Sequence, residues 1–140
     1  MTAQPAAFQV FITRLARSAF AVGLVLVLVL SLMPASGLPS MDIRDKIEHF
    51  LAYFALAAAG SAGFHGHRAR IIIIFSLIAF GILMEFGQLF SPGRDPSIGD
   101  AIANSLGVLC GATVGSLGVL AMDALRPLVK TPWRRDQPVG

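Results

Sequence analysis

Long apolar runs, each about as long as a bilayer is thick, alternate with short turns rich in Pro, Gly, Ser and basic residues. Spans are predicted at about residues 16–34, 46–63, 71–90 and 98–121. The first run has the core VGLVLVLVLSL and follows Arg14 and Arg17. It reads as an uncleaved helix. A cleaved signal peptide is the rival, because basic residues precede the run and Ala35, Ser36 and Gly37 follow Pro34 in a cleavage-like position. The segment DIRDKIEH (42–49) opens the second helix, which turns apolar from Phe50. Ser40 is placed to cap it, and its early acidic residues suit the positive end of the helix dipole. Asp42/Lys46, Arg44/Glu48 and Asp45/His49 are each four residues apart, so part of this charge reads as pairing on the helix surface.

A basic turn, FHGHRAR (64–70), leads to the third span, which carries Glu85 and Gln88 one turn apart on a shared face. Pro92, Gly93 and Pro96 break the chain after it, and Ser97-Ile98-Gly99-Asp100 has the form of a capping box with Asp in place of Glu. The fourth helix then carries Ala103, Gly107, Gly111 and Gly115 at spacings of four, a small-residue stripe that lets a neighbouring helix approach closely.

Composition fixes the solvent. Of 140 residues, 55% are hydrophobic and 14% charged, and the mean hydropathy is +0.72. These values describe an integral membrane protein, all-α, a four-helix bundle. The spans consume most of the chain, so residues 1–140 form a single membrane domain, with 123–140 a flexible basic cytoplasmic tail near anionic headgroups. The net charge of +3 sits at span ends, where it reports orientation, and no nucleic-acid motif is present. Cys110 has no partner for an intrachain disulfide and reads as a small buried core residue. Arg14, Arg17, Arg68, Arg70, Arg126, Lys130, Arg134 and Arg135 fall on one side, which the positive-inside rule makes cytoplasmic, together with both termini.

The other side receives Asp45, His49, Glu85, Gln88, Arg94, Asp100 and Asn104. Glu85 should lie about 8 Å below the end of its span, so it should face the bundle. Such a group serves acid/base catalysis, divalent-metal coordination or recognition of a polar head group. Asp45, His49 and Glu85 form the catalytic candidates, with His49 as base, Asp45 as its orienter and Glu85 as acid. Gln88, Arg94, Asp100 and Asn104 form the ligand-binding candidates, with the Arg94 fork suited to an anion. Each has a plainer reading: surface pairing for Asp45 and His49, a structural hydrogen bond for Glu85, helix glue for Gln88, an ion pair for Arg94, and a cap for Asp100. Tyr53, one turn below His49, is placed to orient it or to sit in an aromatic belt. His65 and His67 read as solvated turn residues. The cofactor stays open, and no metal ligand is assigned.

The blocks DKIEHF (45–50), GILMEFGQ (81–88) and GRDPSIGDAIANSLG (93–107), in this order and on four spans, resemble the signature segments of the VanZ-like membrane proteins. The resemblance covers about residues 40–118. It implies a small helical protein of the bacterial cytoplasmic (inner) membrane, in a family associated with resistance to the glycopeptide teicoplanin, and brings no established reaction with it. The expected role is to act on, or bind, an envelope lipid-linked or amphiphilic molecule. The alternative is a non-enzymatic module that associates with a partner membrane protein. A homo-oligomer through the Gly107/Gly111/Gly115 stripe is a further expectation.

Overall fold

A computed structural model describes residues 4–34 and 42–129. They form α1 (Gln4–Leu32), α2 (Asp42–Gly63), α3 (His67–Gln88) and α4 (Ile98–Val129). The expected all-α bundle is present. α1 over Ala7–Leu32, α3 over His67–Gln88 and α4 over Ile98–Ala124 are each long and apolar enough to cross a membrane. The chain is therefore a membrane protein, and the exposed Phe8, Phe11, Val25, Phe75, Phe86, Leu106 and Leu117 suit a lipid surround. α2 falls short of that apolarity because it opens with DIRDKIEH. It is instead packed against all three other helices, most extensively α4.

Contacts at the two ends set an up-down-up-down order. Arg17 on α1 donates through Nε to Gly63 O at the end of α2 (2.8 Å), with its guanidinium 5.0 Å from the Phe64 ring centre. Arg14, Arg17, His65 and Asp123 line one cavity there, so the lower part of α1, the α2–α3 turn and the far part of α4 share an end. At the opposite end, Ser91 and Arg94 reach the last carbonyls of α1.

Several predicted boundaries shift. α1 begins at Gln4, well before residue 16, because Pro5 suits a first turn and no breaker follows it. α3 begins at His67 behind Gly66, whose φ of 104° most side chains would not tolerate. It ends at Gln88, and bonds from Leu89, Phe90 and Ser91 to carbonyls three residues back tighten the exit. Glu85 is thus about 4.5 Å from the helix end, shallower than the spacing predicts. α4 runs on to Val129, so residues 123–129 are helix where a tail is expected. The remainder of that tail, 130–140, lies outside the described residues, as does the expected cap Ser40.

The core joins Tyr53, Leu56 and Ala57 of α2 to Ile73 and Leu77 of α3 and Val108 and Ala112 of α4. Beside it the glycine stripe lies on the α2 backbone. A Cβ at Gly107, Gly111 or Gly115 would collide with the carbonyl oxygen of Phe50, Phe54 or Ala58 respectively. The stripe does what its spacing predicts, but within one chain. The expectation that a second copy packs on it is corrected, since α2 already covers it. Cys110 is also corrected: it is exposed, because it lies about 200° around the helix from both Val108 and Ala112, which face the core.

Candidate functional site

The predicted polar residues meet between α2, α3 and α4. His49 lies about 10 Å along α2 from Asp42, and Asn104 about 9 Å along α4 from Ile98, so these two helices, which run parallel, bring them level. His49 Nδ1 is 3.1 Å from Asn104 Oδ1. A carbonyl oxygen only accepts, so the Nδ1–H donates and the lone pair stays on Nε2. That nitrogen faces Asp45 Oδ1 at 3.8 Å. Glu85 Oε1 approaches the ring from α3, 3.8 Å from Nδ1. Asn104 therefore holds the Nδ1 side, the orienting task expected of Asp45, while Asp45 stands on the Nε2 side.

Glu85, 7% exposed, faces inward as expected. Its Oε2 accepts the Ser97 backbone N–H at 3.0 Å. This replaces the expected capping box. The carboxylate serving the start of α4 comes from α3, while Ser97 O accepts from Asp100 N and Ala101 N at 3.1 Å. The turn reaches this position through Gly93, at φ 77°. Asp100 is thus released from the cap, and it turns into the cluster: Asp45, His49 and Asp100 each offer a ligand atom, all within 4.8 Å of one another. Lys46 lies along the same edge, its Nζ 3.5 Å from where a Gly99 Cβ would stand.

Five polar atoms in this region are buried with no hydrogen-bond partner among the described residues: Tyr53 OH, Glu85 Oε1, Gln88 Nε2, Asp100 Oδ1 and Asn104 Nδ2. Tyr53 therefore does not orient His49 through its hydroxyl; its ring packs near Phe80 and Gly81. Arg94 turns away from the cluster, with Nη2 donating to Leu30 O at 2.9 Å and Nε to Met33 O at 3.3 Å. A cation on these carbonyls suits the negative end of the α1 dipole. Arg44 and Glu48 form the plain surface pair, Nε to Oε1 at 3.0 Å. His65 and His67 are exposed, as expected.

Two contributors are not singled out by residue type. Ser97 acts through its backbone. Gly81 leaves room for Asn104, whose Cβ lies 3.2 Å from where a Gly81 Cβ would stand. Its position four residues before Glu85 is the signal that places it on the same face. No family model matches the chain, and neither a curated protein nor a solved structure matches it.

Proposed function

We propose that this is a VanZ-like protein of the bacterial inner membrane, with both termini cytoplasmic. Its polar cluster lies at the extracytoplasmic end and takes the polar head of a lipid-linked or amphiphilic envelope molecule. Through that molecule it alters susceptibility to glycopeptides such as teicoplanin. The observation that carries this reading is the set of unpartnered buried atoms. Each unmet buried polar group costs about 1–3 kcal/mol, so five in one place call for a polar occupant. Gln88 and Asn104 supply donors to it, Glu85 and Asp100 supply acceptors, and Tyr53 supplies a hydroxyl. Asp45, with 34% of its side chain exposed, marks the open side. If the bound molecule reacts, His49 Nε2 is the base and Glu85, on the Nδ1 side of the ring, the acid.

The test compares amphiphiles that co-purify in detergent with the wild-type chain and with the Glu85→Gln and His49→Ala variants. One species enriched on the wild type should fall about tenfold in both, and glycopeptide susceptibility should move with it. Gln can still accept the Ser97 N–H, so Glu85→Gln keeps the fold. Identical lipid profiles and unchanged susceptibility in all three would sink the reading.

A further inference from the structure

Three carboxylates crowd one end of a membrane bundle, and the single charge of Lys46, along the same edge, offsets only part of theirs. Uncompensated carboxylates in such surroundings are costly. Two of them also have an unused buried oxygen. Asp100 is 4% exposed and Glu85 7% exposed, and Asp100 Oδ1 and Glu85 Oε1 have no partner among the described residues. Those atoms call for a cation.

The donor set narrows which cation. Asp45, His49 and Asp100 offer one imidazole nitrogen and two carboxylate oxygens within 4.8 Å of one another. Mixed nitrogen and oxygen ligands suit zinc and its neighbours over calcium or magnesium. Tetrahedral zinc places its ligands about 3.4 Å apart, close to the 3.8 Å already separating His49 Nε2 from Asp45 Oδ1. The hydrogen bond from Nδ1 to Asn104 at 3.1 Å keeps the Nε2 lone pair directed at that position, as the outer-shell partners of metal-binding histidines do. We propose that Asp45, His49 and Asp100 bind a divalent zinc-class ion, with Glu85 beside it. Three protein ligands leave a coordination position for water or for an oxygen of the bound molecule. The Gln88 and Asn104 amide N–H groups have the wrong sign for a cation and the right one for such an oxygen. The proposal deepens the site reading above and rests on it.

Zinc chloride is the probe, titrated calorimetrically into the full chain after chelator stripping in detergent. A His65→Gln/His67→Gln background removes the two exposed histidines. Cobalt substitution supplies a second readout through its visible absorption. About one equivalent should bind, and His49→Ala and Asp100→Asn should each weaken binding by about tenfold or more. Glu48→Gln, on the exposed surface pair, should leave it unchanged. Zinc should also raise the melting temperature of the wild type but not of Asp100→Asn. No stoichiometric zinc on the wild type, or equal binding by folded Asp100→Asn, would overturn the proposal. Should His49→Ala not fold, His49→Gln takes its place under the same criterion. Zinc bound with no co-purifying amphiphile would leave the metal site standing and remove the head-group reading; an amphiphile without zinc would do the reverse.

Discussion

Fifty-five residues separate His49 from Asn104 along the chain, yet Nδ1 and Oδ1 lie 3.1 Å apart, a contact that selects the tautomer of the ring. In the metal-free His65→Gln/His67→Gln protein, nitrogen NMR should find the proton on Nδ1. Asn104→Ala removes the acceptor, and a hydrogen bond worth about 1 kcal/mol shifts the tautomer ratio roughly fivefold toward Nε2–H. Asn104→Asp keeps an acceptor and should keep the proton on Nδ1. A ring already Nε2-protonated in the wild type contradicts the assignment.

The glycines of α4 make a paired prediction. An added Cβ at Gly111 would strike the Phe54 carbonyl, whereas at Gly118 nothing lies within 4 Å. Gly111→Ala should cost about 1–3 kcal/mol by forcing α4 off α2. Gly118→Ala should be neutral or gain up to about 1 kcal/mol from helix propensity. Unfolding in detergent reads both, and equal effects would remove the close approach from the account.

Arg94 is expected to act on α1. Arg94→Ala frees the Leu30 and Met33 carbonyls, so amide exchange near the end of α1 should quicken by about an order of magnitude, equivalent to about 1.4 kcal/mol. Exchange in α2 should hold. If protection at the α1 end is unchanged while an anionic molecule is lost from the purified protein, Arg94 serves the ligand.

Orientation is checked with reporter fusions. A reporter that works only outside the cytoplasm should be active at Gly93 and silent at Gly66. Activity at Gly66 reverses the arrangement and puts the polar cluster inside.

What the sequence made legible was set by periodicity and by solvent cost. Glu85 and Gln88 had to share a face, and burial of a carboxylate pointed that face inward, as found. The spacing of Gly107, Gly111 and Gly115 announced a close helix neighbour, but spacing carries no record of which helix answers it. Cys110 went astray because residue type outweighed helical angle. The bond from Ser97 to Glu85 was not legible, since it depends on the backbone path through Gly93. Arg94 was misdirected for a related reason: the free carbonyls that draw it belong to α1, a helix some sixty residues away.

The pairing of α2 with α4 has a consequence for biogenesis. α2 is the helix least suited to lipid on its own, and its broadest partner, α4, is made only after α3. A nascent chain that has not yet reached Ser97 offers His49 no Asn104, and Glu85 no Ser97 amide. The polar cluster therefore forms only after α4 has been made, and until then α2 lacks its broadest packing partner.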